Sequence, residues 1–180
     1  MTDVVKLNLG CYDKKIPNFV NVDIRPETGC DVIDDIFKLE KFEKSSADLI
    51  YACHSLEHAD YEEAEAALRR WFEVLRPGGT LRLAVPDMEA HFAHYYYHRD
   101  LRLLHSTFWG SQRHSYDYHK NGWDFKKLEE DLSAVGFANI RRYDWRETEH
   151  FYIDDYSQAY YPHLDKTGGK LMSLNVEATK

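Results

Sequence analysis

The pattern of apolar and polar positions predicts strands that alternate with helices along the first two thirds of the chain. Apolar runs short enough for buried strands lie at 4–9, 19–22, 31–33, 47–55 and 80–85. Helices are predicted at 61–75, where apolar residues recur at helical spacing, and at 88–104 and 125–135. Alternating strands and helices imply a mostly parallel sheet that is covered on both faces.

The last third of the chain has a different pattern. Strands are predicted at 138–143 and 170–178, and the acidic, aromatic connection between them, 144–169, has no helical period. Two strands that are joined without a helix are expected to be antiparallel to each other. The stretch 105–123 is predicted to be irregular, because its polar and aromatic residues follow neither period.

The stretch from Lys6 to Asp23 reads as a strand, a glycine turn, a second strand and an acid. Gly10 suits a place where the backbone passes close to a ligand, because glycine has no Cβ. Asp23 closes the second strand, where an acid accepts hydrogen bonds from ribose hydroxyls in nucleotide-binding α/β folds. Together they indicate a site for an adenosine-type cofactor. The alternative is a structural turn with an incidental aspartate.

The same stretch argues against a dinucleotide. A dinucleotide site needs the pattern G-x-G-x-x-G with an acid about twenty residues later. Here Tyr12 occupies the second glycine position, and Asp23 follows Gly10 too soon for a full crossover helix. A cofactor without phosphate groups therefore fits the sequence better.

Composition narrows the class of protein. The chain has 180 residues, 43% of them hydrophobic, which is ordinary for one globular domain, and no apolar run has the length of a membrane span. The net charge of −8 argues against a nucleic-acid partner. Cys11, Cys30 and Cys53 are scattered and the N-terminus lacks a secretory pattern, so we expect a cytoplasmic protein without disulfides.

Several segments, in this order, resemble the class I S-adenosylmethionine-dependent methyltransferases. They are LNLGC (Leu7 to Cys11), the acids Asp23 and Asp34, SSADLIYACHSLEH (Ser45 to His58), VLRPGGTLRLAVPD (Val74 to Asp87) and the later L-x-x-x-L-x-x-x-G-F pattern that ends at Phe137. The similarity covers most of 4–143 and is strongest to small bacterial-type enzymes associated with glycan synthesis. It implies a Rossmann-like open, mostly parallel seven-stranded sheet with an antiparallel C-terminal strand, helices on both faces and a shortened first crossover.

The resemblance also implies a single methyltransferase domain over 1–180, with substrate-side insertions at about 88–123 and 144–169, and S-adenosylmethionine as the cofactor. Gly10 and Cys11 would face its methionine part, Asp23 its ribose, Asp34 with Asp35 its adenine, and Cys53 with His54 would lie under the sulfonium. The full implied set of cofactor residues is Leu9, Gly10, Cys11, Asp23, Ile24, Asp34, Asp35, Cys53 and His54. Tyr12 departs from the family, where glycine is usual.

Methyl transfer to a hydroxyl requires a positioned nucleophile and a base, and histidine is the usual base near neutral pH. His58 follows the strand at 47–55, although it could only pack at a helix start. His114, Asp117 and His119 lie in the segment RHSYDYHKNGWD, where the aspartate could orient a histidine base. Aromatic residues beside carboxylates suit a sugar acceptor. The alternative is a polar surface loop.

Two further clusters have several interpretations. His91, His94 and His98 share one helix face, but three ligands from one straight helix rarely converge on a metal, so we predict no metal site. We expect this histidine face to cover the pocket or to form a dimer contact, and a metal site is the alternative. The segment 150–163 could be a lid over substrate or a dimerisation strap.

The sequence therefore favours an O-methyltransferase that acts on a sugar or glycan precursor with a histidine base. The partner would be a small-molecule or glycan acceptor, with a homodimer as one arrangement. The alternatives are an N-methyltransferase for a small molecule or protein side chain, and a cofactor-binding or scaffold subunit without catalysis. Tyr12 and the short crossover keep this last alternative open.

Overall fold

The computed structural model describes residues 4–180, without the side chain of Leu103. The predicted domain at 1–180 and the expectation about the N-terminus both include residues 1–3, which lie outside the described part. The strands are β1 (Lys6–Leu9), β2 (Val20–Asp23), β3 (Val32–Ile33), β4 (Ala47–Cys53), β5 (Leu75–Pro86), β6 (Ala138–Arg142), β7 (Tyr160–Tyr161), β8 (Lys170–Leu171) and β9 (Ser173–Thr179). The α-helices are α1 (Tyr61–Val74), α2 (Met88–His98), α3 (Arg102–Trp109) and α4 (Phe125–Val135).

Seven strands form one sheet in the order β3-β2-β1-β4-β5-β9-β6, and β7 pairs with β8 in a separate ribbon. The pairs from β3 to β5 are all parallel, whereas β9 is antiparallel to both β5 and β6. The predicted mostly parallel sheet with an antiparallel C-terminal strand is confirmed. The first crossover, between β1 and β2, contains no helix, as its length predicts.

Helices α1 and α4 have strong local signals and agree with the predictions to within one residue. Asp60 and Glu63 form a reciprocal capping box at the start of α1, which satisfies two backbone N–H groups there. Asp124 caps α4, and Gly136 ends it in the left-handed conformation with φ 114°. Trp71 of α1 is fully buried, and its indole N–H donates to the Ile36 carbonyl at 2.7 Å.

The predicted helix at 88–104 is wrong in its length. The chain forms α2 and α3 instead, because Arg99 takes the left-handed conformation with φ 53° and closes α2. Asp100 then accepts a hydrogen bond from the Arg102 backbone N–H at 3.0 Å and starts α3. The helix α3 also reaches Trp109, so part of the stretch predicted to be irregular is helical. The predicted last strand is likewise divided into β8 and β9.

The two faces of the sheet differ in polarity. Side chains alternate along each strand, so Leu9, Ile50 and Leu83 point to the large apolar core that includes residues of α1 and α4. Buried Tyr51 lies on the other face, in a small cluster with Ile16 and Phe19 of the first crossover. Further polar neighbours on that face are Asn8, Asn21, Arg82 and Asn175.

Short 3-10 helices cover part of the polar face. They are Trp145–Glu147 and Tyr156–Gln158, in the long connection after β6. The connection is fastened to the sheet by the Tyr51 hydroxyl, which donates to Asp155 at 2.7 Å, and by Asn175, which donates to the Ser157 carbonyl at 2.8 Å. None of the described helices has the length and apolar character needed to cross a bilayer.

Candidate functional site

A cleft of about 850 Å³ opens at the carboxyl ends of β1, β2 and β4. This is the edge at which open α/β sheets bind ligands, and the volume is in the range of small-molecule sites. Most of its lining residues lie in the segments 8–14, 23–25, 35–37, 53–55, 113–118 and 154–156. The cleft therefore combines strand ends of the sheet with both segments expected on the substrate side.

Gly10 shapes the bottom of the cleft. Its φ of 67° is in the left-handed region, and its N–H donates to the Val22 carbonyl at 2.8 Å, which holds the turn against β2. A Cβ at this position would overlap the Ser55 hydroxyl and lie 3.3 Å from Ile36 Cδ1. Glycine is required here for both its conformation and its size. Leu9 and Cys11 line the cleft on either side of it.

Asp23 is buried at the end of β2 and joins two segments of the cleft wall. One carboxylate oxygen accepts from the Tyr12 backbone N–H and the other from the Arg25 backbone N–H, both at 2.9 Å. A carboxylate has about four acceptor positions, so it can still accept a hydrogen bond from a ligand. Tyr12 adopts φ 42°, a conformation that glycine takes more readily, and its ring lies under the Arg25 guanidinium.

The two acids after β3 have different surroundings. Asp34 is buried and accepts from the backbone N–H groups of Asp35 and Lys41, both at 2.9 Å, so its carboxylate fixes the turn between them. Asp35 lines the cleft together with Ile36 and Phe37, and Asp34 does not. The structure thus brings Asp35, of the two predicted acids, to the cleft, where Ile24 also lies.

His54 follows β4 and is held by several groups. Its φ is 47°, its Nε2 lies 3.1 Å from the Ser173 hydroxyl, and its ring packs against Tyr156 with 5.3 Å between centroids. Burial lowers the pKa of His54 to about 3, so the ring is neutral at neutral pH. Burial also raises the pKa of the neighbouring Cys53 thiol well above its usual value, which keeps that thiol protonated.

His58 and His119 come together although they are far apart in sequence. Their rings meet edge to face with 4.9 Å between centroids. Nδ1 of His58 lies 3.2 Å from the Tyr118 carbonyl, and Nδ1 of His119 lies 2.8 Å from the Thr107 carbonyl. A carbonyl only accepts, so we assign the proton of each neutral ring to Nδ1, which leaves a lone pair on each Nε2.

Burial keeps both rings neutral. It lowers the pKa of His58 to about 4, with a contribution from His119, and it lowers the pKa of His119 below the ordinary value of 6.5. Glu57, next to His58, is fully buried on the same side, and neither of its carboxylate oxygens accepts a hydrogen bond from the part of the chain that the structure describes. Glu57 is not among the predicted site residues, although it lies in the segment SLEH, next to His58.

His114 and Asp117 are placed differently from the predicted histidine–aspartate pair. Nε2 of His114 lies 3.0 Å from the Arg25 guanidinium, at the wall of the cleft. Asp117 accepts from the Ser111 hydroxyl and from the Arg113 backbone N–H, so it organises its own loop. The Thr107 carbonyl, and not the Asp117 carboxylate, orients His119.

The other predicted clusters are the histidines of α2 and the segment 150–163. His91 donates from Nδ1 to the Asp87 carbonyl at 2.7 Å, and His94 stacks on His98. The segment 150–163 reaches the cleft, since Asp154, Asp155 and Tyr156 line it. This position agrees with a lid, and its role stays a prediction.

Residues 13–83 match the model of the methyltransferase domain. A search of curated proteins finds no match. The chain is similar to a solved S-adenosylmethionine-dependent methyltransferase from Archaeoglobus fulgidus, with a TM-score of 0.62, 14% identity and coverage of 99% of this chain and 87% of the other.

Two other solved structures show the same likeness. An S-adenosylmethionine-dependent methyltransferase from Methanosarcina mazei has a TM-score of 0.62 and 19% identity, with coverage of 100% of this chain and 93% of the other. One from Mesorhizobium loti has a TM-score of 0.59 and 16% identity, with 98% and 91% covered. At these identities the likeness shows a shared fold, and the match to the methyltransferase-domain model covers residues 13–83.

Proposed function

We propose that this chain, a methyltransferase with the class I S-adenosylmethionine-dependent fold, methylates a hydroxyl group of a sugar or glycan precursor. S-adenosylmethionine is the cofactor that the family and the fold imply. When bound, it supplies a methyl carbon that a nucleophile attacks in line while the sulfur keeps the electrons of the broken carbon–sulfur bond.

The residues of the cleft fit this cofactor. Asp23 offers one buried carboxylate to ribose hydroxyls, and Ile24, Ile36 and Phe37 offer apolar surface beside it. The backbone at Leu9, Gly10 and Cys11 lines the cleft without a side chain at its central position. We assign adenine contacts to Asp35, and to Asp34 the support of the turn that carries Asp35. Cys53 and His54 complete the wall at the end of β4.

The observation that carries O-methylation is the pair of neutral imidazoles at the acceptor side of the cleft. His58 lines the cleft, and His119 stands directly behind it. Each has an Nε2 lone pair, and a hydroxyl nucleophile must lose its proton to such a group. We propose that this pair receives the proton of the acceptor, with His58 in contact and His119 as its neighbour. His114 and Asp117 shape the loop beside them.

A sugar acceptor is supported by the aromatic and acidic lining of the same side. Tyr116 and Tyr118 are exposed at the cleft, and Asp117 lies between them in sequence. Aromatic faces pack against the apolar face of a sugar ring, while carboxylates accept hydrogen bonds from its hydroxyls. We also propose a cytoplasmic location, because the three cysteines are free, as in a reducing compartment.

The first test is calorimetric titration with S-adenosylmethionine and, separately, with S-adenosylhomocysteine. We expect wild type to bind both with one site per chain and Asp23→Asn to bind both at least about tenfold more weakly, since a charged hydrogen bond contributes about 1.5–3 kcal/mol. Wild-type affinity in the variant would contradict the assignment of Asp23. No binding by wild type would favour a scaffold protein.

The second test is an acceptor screen that starts with nucleotide-activated sugars and includes amines. We expect transfer to a hydroxyl, with a strong loss of kcat in His58→Ala and His119→Ala at unchanged cofactor affinity. Transfer to an amine that is unaffected by both substitutions would support N-methylation instead, since a neutral amine needs no strong base.

A further inference from the structure

Glu57, His58 and His119 form a cluster whose geometry goes beyond a pair of bases. One potential ligand atom from each, a carboxylate oxygen and two imidazole nitrogens, lies within 4.8 Å of the others. Glu57 and His58 belong to the 3-10 helix Leu56–His58 after β4, and His119 comes from the loop before α4. The sequence predicted no metal site, and it separates His119 widely from the other two.

Glu57 is the least expected member of the cluster. It is 0% exposed, and neither carboxylate oxygen accepts a hydrogen bond from the described residues. His54 Nδ1 lies 3.4 Å from Oε1, without hydrogen-bond geometry. A buried ionised carboxylate without a partner is costly, so such a group is normally protonated, paired or bound to a metal.

The backbone around Glu57 is well fixed, so its position is not a loose surface arrangement. Its carbonyl accepts from the N–H of Lys120 at 2.8 Å and from that of Asn121 at 3.2 Å. These bonds hold the residue that follows His119 against the 3-10 helix. The chain therefore maintains the three side chains next to one another through its own backbone.

The two imidazoles are oriented as metal ligands usually are. Metal-binding histidines donate the N–H of one ring nitrogen to a carbonyl or carboxylate, which fixes the tautomer and frees the other nitrogen. His58 and His119 both donate from Nδ1 to backbone carbonyls, at 3.2 Å and 2.8 Å. Both Nε2 atoms then remain for a cation.

We infer that Glu57, His58 and His119 bind a divalent cation, with Zn²⁺ as the best match. Two histidines and one glutamate form a ligand set of catalytic zinc sites, in which a further position remains open. Ligand atoms around tetrahedral zinc lie about 3.3 Å apart, given bond lengths of about 2.0–2.1 Å. The potential ligand atoms of the three residues lie within 4.8 Å of one another, so the side chains must move closer together to bind zinc.

The open position would face the acceptor, because His58 lines the cleft. This consequence rests on the proposed function, whereas cation binding does not. The cation would hold a hydroxyl oxygen of the acceptor and lower the pKa of that hydroxyl, whose proton would leave to water in the open cleft. Cation binding and direct proton uptake both use the Nε2 lone pairs of His58 and His119. Occupancy by the cation therefore decides whether the acceptor hydroxyl is activated by the cation or loses its proton to a histidine.

The test is a Zn²⁺ titration of the purified full-length protein after treatment with a chelator, in competition with a chromophoric chelator. We expect wild type to bind one Zn²⁺ per chain, and Glu57→Gln and His119→Ala to bind it about tenfold or more weakly. The matched control is His105→Ala, which removes an exposed histidine of α3 outside the cluster and should leave the affinity unchanged. Equal affinity in wild type and Glu57→Gln would overturn the inference.

A second measurement uses wild type alone, in case a variant fails to fold. Zn²⁺ should raise its melting temperature, because a ligand that binds only the native state stabilises it. Co²⁺ should give visible absorption bands of a site with nitrogen and oxygen ligands. Absence of both effects contradicts the site, even when S-adenosylmethionine binds and methyl transfer proceeds. If Zn²⁺ binds and no acceptor is methylated, the cation site stands and the proposed function fails.

Discussion

At the scale of single residues, Gly10 determines how closely β1 can approach Ser55. We expect Gly10→Ala to destabilise the fold and to abolish cofactor binding. The left-handed conformation costs an alanine about 1–2 kcal/mol, and the overlap with the Ser55 hydroxyl adds about 1–3 kcal/mol, the usual range for overpacking. Urea unfolding measures the loss of stability, and calorimetry measures cofactor binding.

Gly78→Ala is the matched control for Gly10→Ala. Gly78 also has a left-handed φ, 79°, but a Cβ there would have no neighbour within 4 Å. It should show only the conformational cost, with normal cofactor affinity. The double variant Gly10→Ala/Ser55→Ala should recover most of the additional loss. Equal losses at the two glycines would refute the role of close packing at Gly10.

His150 gives the molecule a specific pH dependence. It is 3% exposed and packs against Phe19 and Tyr51, and burial, followed by the charge of Arg82, lowers its pKa from 6.5 to about 4. Between pH 6.5 and about pH 4 the His150 side chain is protonated in the unfolded chain and neutral in the folded protein. The free energy of unfolding therefore falls as the pH falls. From pH 7 to pH 5 the loss from His150 is about 2 kcal/mol, at about 1.36 kcal/mol per pKa unit.

Besides burial, charged residues of several elements act on the pKa of His150. Lys6 and Arg82 oppose protonation, whereas Glu149 and Asp155 favour it. His150→Phe keeps an aromatic ring and removes the titration. The unfolding free energy of the variant minus that of wild type should therefore become more positive as the pH falls from 7 to 5. A constant difference would show that His150 has an ordinary pKa in the folded state.

At the scale of elements, the long connection after β6 depends on a few polar anchors. The Tyr51 hydroxyl donates to Asp155, which in turn accepts from the backbone N–H of Ser157. We expect Tyr51→Phe to cost about 1–3 kcal/mol, since it leaves a charged acceptor without this donor, and to increase amide hydrogen exchange in 150–164. The exchange rates, followed by mass spectrometry, measure the opening of the connection.

Tyr143→Phe is the corresponding control on the same side of the sheet. The Tyr143 hydroxyl is buried and has no hydrogen-bond partner among the described residues. Its removal should leave stability unchanged or raise it slightly, because no bond is lost. If both tyrosine variants behave alike, the Asp155 anchor does not hold the connection.

Elements with complete local signals were predictable from the sequence. A clear apolar period predicts both α1 and α4, and the capping box of α1 and the glycine that ends α4 agree with the predicted ends. The sequence does not distinguish the roles of Asp34 and Asp35, because the two acids are neighbours. Their roles differ through the fold of the turn, in which Asp34 accepts hydrogen bonds from the backbone N–H groups of Asp35 and Lys41. The Glu57, His58 and His119 cluster depends on a long-range contact, to which no local pattern points.

At the scale of the whole molecule, the sheet has one apolar face and one face held by charged groups. The apolar runs predict buried strands, but they indicate neither the polar face of the sheet nor the partners of its charged groups. Arg82 of β5 donates to Glu177 of β9 and to Glu149 of the long connection, each at 2.7 Å. One guanidinium therefore joins the centre of the sheet to its antiparallel strand and to the segment that borders the cleft.

We expect Arg82→Met to destabilise the fold by about 3 kcal/mol, because the largely buried Glu177 then keeps only the exposed Arg141 as a charged partner. The Arg82 and Glu177 side chains are only 11% and 12% exposed. Arg69→Met, which removes an exposed pair with Glu65, should cause no measurable change. Adding Glu177→Gln to Arg82→Met should restore much of the lost stability in urea unfolding. If it restores none, the arginine contributes by packing its alkyl chain over the sheet, and the charges of this face are incidental to the fold.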